Sequence, residues 1–175
     1  ERISELGYEV EDHGNITVPM IQKNRIHKNP KLRYLNEICA VNEDLAQTVK
    51  SIRKEGAFPL ILGGDHSIAI GSIAGVADSD RLGVIWMDAH GDFNTTETTP
   101  SGNIHGMPLA ASVGLGDSNL VNCGGFSPKL SPKNLVLIGI RQLDDLERDS
   151  LKREGVKVFS IAEVDELGMR EVIRE

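Results

Sequence analysis

The sequence has little of what disulfide-rich, membrane or nucleic-acid-binding proteins need. Its two cysteines, Cys39 and Cys123, form no C-x-x-C pair, which argues against a disulfide framework or a thiolate metal site. No stretch approaches the roughly eighteen consecutive apolar residues of a membrane span. Acidic residues outnumber basic ones by 26 to 19, a formal net charge of −7, which disfavours nucleic acid or anionic lipid as a partner. We therefore expect a soluble, cytoplasmic protein with a small-molecule partner.

What is present fits one folded domain. At 175 residues with 39% hydrophobic side chains, the chain can bury a sizeable core. No repeat, low-complexity tract or linker marks a boundary, so a single domain over 1–175 is expected. The sequence starts at Glu1 in what looks like the tail of one helix and stops inside another. We therefore expect it to be truncated at both ends, as a piece of a longer protein.

Strand-like and helix-like stretches alternate along the chain. Apolar runs predict strands over 57–62, 82–87, 135–140 and 156–160, with a weaker one over 8–12. Helical periodicity predicts helices over 32–55, 68–77, 109–113 and 145–154, and a last one after 160. Strands separated by helices pair in parallel through crossovers. The pattern indicates an α/β fold with a parallel sheet.

The run 82–87 ends in the polar motif Asp88-Ala89-His90-Gly91-Asp92. If the extended geometry continues, Asp88, His90 and Asp92 point to one side at i, i+2 and i+4. Two carboxylates and an imidazole on one face are costly to desolvate unless a cation lies between them, so the motif predicts a divalent metal site. The alternative is a polar loop in which Asp88 caps a helix and the other two side chains face solvent or a turn.

A second polar turn, Gly63-Gly64-Asp65-His66-Ser67, follows the strand predicted over 57–62. Ligands of open parallel sheets bind at the carboxyl ends of the strands, so His66 is a candidate fourth ligand, with a structural or capping role as the alternative. The spacing of the glycines matches no nucleotide-binding motif, and nucleotide binding is rejected. The long polar loop 95–103 is suited to recognition. His13 and His27 have no suitably spaced partners and receive no role.

Three blocks of the sequence stand out together. They are Gly-Gly-Asp-His-Ser at 63–67, Asp-Ala-His-Gly-Asp-Phe-Asn at 88–94 and Ser-Gly-Asn-Ile-His-Gly-Met-Pro at 101–108. They resemble the successive signatures of the ureohydrolase superfamily, and the third resembles the arginase family in particular. The resemblance implies a three-layer αβα fold with a mostly parallel sheet, incomplete in this chain. It also implies hydrolysis of L-arginine to L-ornithine and urea, as in arginine catabolism and the urea cycle, by a homo-oligomer, a trimer or hexamer.

The resemblance further implies two Mn²⁺ ions per subunit, although imidazole and carboxylate ligands would also accept Zn, Fe or Co. The implied metal ligands are His66 on one ion, Asp88 bridging both, His90 on the other and Asp92 on the first. His105 matches the histidine that shuttles protons. The implied contacts to the substrate's α-carboxylate come from Asn94, Ser101, Asn103 and, through water, Thr99. Those to its α-amino group come from Asp144 and Glu147.

Some parts of the family pattern are different or absent here. Gln142 and Leu146 differ from the residues of many relatives, which affects the α-amino contacts. The family's Asp-x-Asp metal ligands, its guanidinium-binding carboxylate and its amino-terminal strand do not occur in these 175 residues. Two alternatives therefore stand beside an arginase. One is an agmatinase or another ureohydrolase, against which the polar set Ser101, Asn103 and Asp144 argues. The other is a non-catalytic chain that lacks part of the metal site.

Overall fold

Three parallel strands form the sheet on which the rest of the chain is mounted. The computed structural model describes residues 2–20, 29–77 and 82–175, and His27 lies outside them. The strands are β1 (Val84–Met87), β2 (Leu135–Ile140) and β3 (Lys157–Ser160), in that spatial order. In register, Trp86 of β1 lies opposite Leu137, and Leu137 lies opposite Val158 of β3. The three strands predicted at these places are confirmed to within two residues.

Helices alternate with the strands along the chain. They are α1 (Arg2–Glu5), α2 (Leu35–Lys54), α3 (Ala69–Val76), α4 (Pro108–Ser112), α5 (Ser118–Val121), α6 (Asp145–Glu154), α7 (Ile161–Leu167) and α8 (Met169–Val172). Short 3₁₀ turns occupy His66–Ile68, Ile104–Gly106, Cys123–Gly125 and Pro132–Asn134. None of the helices in the described residues is both long and apolar enough to cross a bilayer.

The central strand β2 is covered on both faces. Leu135 and Leu137 lie in a core with residues of α3, α4 and α6. Ile138 points the other way and packs with Phe159 and Val172, on the side of α7 and α8. Side chains alternate across a strand, so an almost continuous apolar sequence is what a strand buried on both faces requires. The predicted layered α/β architecture is confirmed.

Helices α2 and α3 approach each other through small residues. A Cβ added at Gly71 would lie 2.5 Å from the backbone oxygen of Asn42, and one at Gly75 would lie 2.6 Å from the Cβ of Val49. The buried Asn42 amide uses this proximity, because its Oδ1 accepts from the Gly71 N–H at 2.7 Å and its Nδ2 donates to the Ile38 carbonyl at 2.9 Å. The contact holds α3, and with it the turn that carries His66, against the long helix α2.

Two predicted strands do not form. Residues 8–12 and 57–62 are described and have no strand pairing, and the alternate side chains Phe58, Leu60 and Leu62 are exposed. Ile85 and Met87 on the outward face of β1 are also about 70% exposed (71% and 70%). A strand requires a hydrogen-bonded neighbour as well as an apolar sequence. Among the described residues the sheet contains β1, β2 and β3 alone, and 57–62 pairs with none of them.

Both cysteines carry free thiols. Cys123 is buried and Cys39 is partly buried against the same apolar cluster. Burial raises the pKa of each thiol to about 11. They are therefore protonated packing residues, since thiolate reactivity requires a lowered pKa.

The close crossing of α2 and α3 yields a prediction about stability. We expect Gly71→Ala to lower the free energy of unfolding by about 1–3 kcal/mol, the usual cost of overpacking, because the new methyl meets the Asn42 backbone. Gly83→Ala is the matched control, since the nearest atom to its Cβ would lie 3.8 Å away. Urea denaturation of both variants measures the difference. Equal stabilities would contradict the close packing.

Candidate metal centre

The candidate site lies at the carboxyl end of β1. The Asp88 N–H donates to the Ile138 carbonyl at 3.1 Å, which continues the ladder for one residue. The backbone then turns. Asp88 Oδ1 accepts the His90 N–H at 2.9 Å, and Asp92 has a left-handed φ of 47°. The extended geometry that would place Asp88, His90 and Asp92 on one side does not continue past Asp88, because Asp88 forms a local turn that competes with strand geometry.

The neighbouring strand fixes this turn from behind. The Ala89 carbonyl accepts two N–H groups, from Arg141 at 2.9 Å and Gln142 at 3.0 Å, which follow β2. Gly139 lies at a register irregularity in β2 and has a φ of 89°. Its missing side chain leaves the Asp88 carbonyl only 3.4 Å from where a Cβ would be. The backbone of the motif is thus held by β2.

His66 reaches the same place from the turn before α3. Asp65 caps the 3₁₀ turn there, and its Oδ1 accepts the Ser67 N–H at 2.9 Å. The His66 ring lies edge-on to Trp86 of β1, with ring centroids 5.2 Å apart. Its Nδ1 lies 2.6 Å from Asp92 Oδ2 and 2.9 Å from Asp88 Oδ2. The structure thus brings together three of the four predicted metal ligands.

The fourth predicted ligand, His90, lies on the other side of Asp88. Its Nδ1 is 3.4 Å from Asp88 Oδ1, whereas His66 faces Asp88 Oδ2. His90 is outside the compact group of His66, Asp88 and Asp92, whose ligand atoms all lie within 4.8 Å of one another. The two oxygens of Asp88 therefore face different imidazoles, which is an arrangement that fits a carboxylate shared between two cations.

Burial and charge oppose each other in this group. Burial lowers the pKa of His66, but the hydrogen bond to Asp92 and the charges of Asp92 and Asp88 outweigh it, so the pKa lies above its ordinary value. Burial raises the pKa of Asp92, and His66 offsets only part of that rise. Two largely buried carboxylates facing one imidazole carry excess negative charge, and nitrogen and oxygen ligands of this kind suit a divalent cation.

Glu147 supports the motif from beneath. It is 4% exposed, and its carboxylate accepts the Phe93 N–H at 2.9 Å and the Asp144 N–H at 3.2 Å. A Cβ at Gly91 would lie 2.9 Å from this carboxylate. Burial raises the pKa of Glu147, and the two N–H donors offset part of that rise. The contact to Phe93 was not predicted, although the Asp144-x-x-Glu147 spacing is that of a capping box.

The residues expected to hold an amino-acid head group lie beside the candidate metal ligands. Asn94 Nδ2 donates to Asp144 Oδ2 at 3.0 Å, and Asn94 Oδ1 accepts from the Thr98 hydroxyl at 2.8 Å. The structure thus brings a predicted α-carboxylate contact next to a predicted α-amino contact. Thr98 was not singled out from the sequence, because only its contact with Asn94 distinguishes it from the other threonines of the loop.

The rest of the polar loop 95–103, which we call the recognition loop, is fixed by its own hydrogen bonds. Thr99 is buried, and its hydroxyl accepts the Gly102 N–H at 2.9 Å. The Ser101 hydroxyl accepts the Asn103 N–H at 3.2 Å. His105 follows in the 3₁₀ turn, with Nδ1 3.9 Å from Asp65 Oδ2 and a side chain that is half exposed. The loop places His105 near His66, on the edge of the site at the carboxyl end of β1, which we call the rim. There an exposed imidazole can exchange protons with solvent.

Comparison with known proteins gives one consistent result. Residues 2–175 match the model of the Arginase family. The chain is 54% identical to an arginase of Bacillus subtilis over 176 residues, which cover 100% of this chain and 58% of that protein. A solved arginase of Bacillus caldovelox superposes with a TM-score of 0.96 at 50% identity, over 99% of this chain and 58% of that one. An Entamoeba histolytica arginase, solved in complex with L-ornithine, superposes at 0.80 with 40% identity, over 91% of this chain and 54% of that one. The chain thus spans a little over half the length of these relatives.

The buried contacts of Glu147 yield a second prediction. We expect Glu147→Ala to lower the free energy of unfolding by about 2 kcal/mol or more, because the Phe93 and Asp144 N–H groups lose their acceptor. We also expect the affinity for Mn²⁺ to fall about tenfold, the usual effect of losing support behind a metal ligand. Glu147→Gln keeps one acceptor oxygen and should fall between. Urea denaturation and calorimetric titration with Mn²⁺ measure the two effects.

The matched control is Glu163→Ala. Glu163 accepts the Ser160 N–H at 2.7 Å at the start of α7, so it occupies an equivalent position at an exposed helix start. Its removal should reduce stability and leave Mn²⁺ affinity unchanged. Equal Mn²⁺ affinities in Glu147→Ala and Glu163→Ala would contradict the support that we assign to Glu147.

Proposed function

The chain belongs to the arginase family, and we propose on this premise that it hydrolyses the guanidinium group of L-arginine to L-ornithine and urea. The observation that carries the proposal is the convergence of His66, Asp88 and Asp92 beside Asn94 and Asp144 on one rim. A metal-ligating group and a polar row suited to an amino-acid head group are the two parts that such a reaction needs.

The chemistry requires a strong nucleophile, because a guanidinium spreads its charge and is a poor electrophile. A pair of divalent cations, when bound, would supply such a nucleophile by lowering the pKa of water towards the neutral range. We propose Mn²⁺ as the metal; His66 and Asp92 would hold one ion, His90 the other, and Asp88 would contribute to both. Support comes from the two Asp88 oxygens, which face His66 at 2.9 Å and His90 at 3.4 Å.

The remaining residues bind the substrate and move protons. Asn94, Ser101 and Asn103, with Thr99 through water, are proposed to receive the α-carboxylate, and Asp144 and Glu147 the α-amino group. In the structure the Glu147 carboxylate accepts the backbone N–H groups of Phe93 and Asp144. We therefore propose that Glu147 acts on the α-amino group indirectly, by positioning Asp144. His105 is half exposed on the rim, and we propose that it passes a proton to the leaving amine.

The setting of the protein follows from the same family membership. We propose a homo-oligomer, a trimer or hexamer, of the cytoplasm that takes part in arginine catabolism. The two free thiols agree with a reducing compartment. The net charge of −7 agrees with a cationic substrate and disfavours nucleic acid as a partner.

The substrate can be tested by urea release. With Mn²⁺ added, we expect kcat/KM for L-arginine to exceed that for agmatine by at least about tenfold, because agmatine leaves the α-carboxylate contacts unpaired. Agmatine hydrolysed as well as arginine would identify a sister ureohydrolase. No urea from either substrate, with fewer than two Mn²⁺ bound per chain, would identify a non-catalytic chain.

Two variants separate metal binding from proton transfer. We expect Asp88→Ala to lose both Mn²⁺ and activity, since this carboxylate is proposed to serve both ions. His105→Asn should keep its Mn²⁺ and lose about 10²- to 10⁴-fold in turnover, the usual range for an acid-base group. Metal content by elemental analysis and urea release measure the two effects.

The control is His13→Asn, which changes an imidazole 4.0 Å from Glu11 and remote from the rim in sequence. It should leave both metal content and turnover unchanged. Full activity in Asp88→Ala would make the bridging assignment wrong.

A further inference from the structure

The segment before α2 forms one side of the recognition loop. The Arg33 N–H donates to the Gly102 carbonyl at 3.0 Å, and the Lys31 ammonium donates to the Thr99 carbonyl. The two backbones are so close that a Cβ at Gly102, where φ is 73°, would lie 1.9 Å from the Pro30 carbonyl oxygen. Residues almost seventy positions away in sequence are therefore built into the loop that carries Ser101 and Asn103.

Two features aim Arg33 at that loop. Leu32 is 5% exposed and lies in the core beneath α2, which forces its neighbour outward. Tyr34 has a left-handed φ of 60°, and among the described residues only Asp92 shares this feature outside glycine. Such backbone strain persists where the surrounding structure demands it, often at functional sites. The Arg33 side chain is exposed, and its Nη1 donates to Asn103 Oδ1 at 3.4 Å.

The acidic charge of the rim gives the Arg33 guanidinium a possible role in binding a substrate carboxylate. The metal ligands and the α-amino contacts contribute the carboxylates of Asp88, Asp92, Asp144 and Glu147. The proposed α-carboxylate contacts, by contrast, are neutral hydroxyls and amides. With Asp88 and Asp92 proposed to hold cations, Asp144 and Glu147 remain as acids beside the proposed place of the substrate carboxylate, and a positive partner there favours its binding. The Lys31 ammonium is engaged on the Thr99 carbonyl, whereas a guanidinium has five N–H donors in a planar fork that matches a carboxylate.

We propose that Arg33 binds the substrate's α-carboxylate together with Asn103 and Ser101, and that it thereby selects an α-amino acid over the corresponding decarboxylated amine. The proposal rests on the proposed function and adds to it a specificity-determining residue outside the three motif blocks. A charge-assisted hydrogen bond from Arg33 to the α-carboxylate would strengthen binding of the amino acid. The decarboxylated amine has no carboxylate and would gain nothing from Arg33.

The test compares Arg33→Met with the unchanged protein, both loaded with Mn²⁺. We expect KM for L-arginine to rise about tenfold with kcat changed less than about twofold, while kcat/KM for agmatine stays the same. Calorimetric titration with L-ornithine and putrescine, which differ only in the carboxylate, gives a readout independent of turnover. Ornithine should bind Arg33→Met about tenfold more weakly and putrescine equally well. Arg33→Lys should restore part of both effects, because it returns the charge without the fork.

Arg174→Met is the matched control, since Arg174 is exposed at the end of α8 and pairs with Glu171. It should change none of these values. Equal losses for L-arginine and agmatine in Arg33→Met would show a merely structural role and overturn the inference, as would unchanged ornithine binding. If the unchanged protein neither hydrolyses L-arginine nor prefers ornithine to putrescine, the proposed function itself fails, and the inference fails with it.

Discussion

Asp88 and Asp92 hold their carboxylates against one imidazole, that of His66, and are largely buried while doing so. Their side chains are 10% and 7% exposed. Removing two like charges from water is costly unless an opposite charge compensates. The one imidazole that both carboxylates face, that of His66, can supply at most half of that charge, and His90 lies 3.4 Å from Asp88 on the exposed side. A cation would resolve this imbalance. The surrounding structure holds the three side chains in place although the carboxylates of Asp88 and Asp92 repel each other.

That requirement explains where the chain accepts strain. Asp92 has a left-handed backbone, which a residue with a side chain rarely adopts. The cost is met by contacts on both sides of the turn. After Asp92, the Phe93 N–H donates to the Glu147 carboxylate. Before it, the Ala89 carbonyl accepts the N–H groups of Arg141 and Gln142, which follow β2. Because Glu147 also accepts the Asp144 N–H, the turn that carries the candidate metal ligand Asp92 and the proposed α-amino contact Asp144 share one buried carboxylate. The separation of these two parts of the site thus depends on the same side chain.

The sequence predicted best what depends on local patterns. Strand β2 and helix α6 were predicted to the residue, because an apolar run between turn signals and a helix between a capping Asp144 and Gly155 need no distant partner to be recognised. The segment 57–62 was predicted as a strand but pairs with none of the described strands. The prediction failed because the presence of a partner strand cannot be read from a segment's own residues. Of the motif after β1, Asp88 and Asp92 come together by a turn while His90 lies apart from them, and His66 joins the two carboxylates from the turn before α3, which packs on α2. The contacts of Pro30, Lys31 and Arg33 with the recognition loop join positions some seventy residues apart, which no spacing rule connects.

These long-range contacts bear on how specificity arises in the fold. The candidate metal ligands come from the ends of secondary-structure elements, where the sheet and α3 fix the backbone. The proposed head-group contacts come from a loop without strand or helix over 95–103, whose shape depends on its own hydrogen bonds and on the segment before α2. A change in that segment can therefore alter the shape of the proposed recognition loop without moving a candidate metal ligand. The candidate metal ligands and the proposed recognition residues lie side by side, yet different parts of the chain hold them, so their geometries can vary separately.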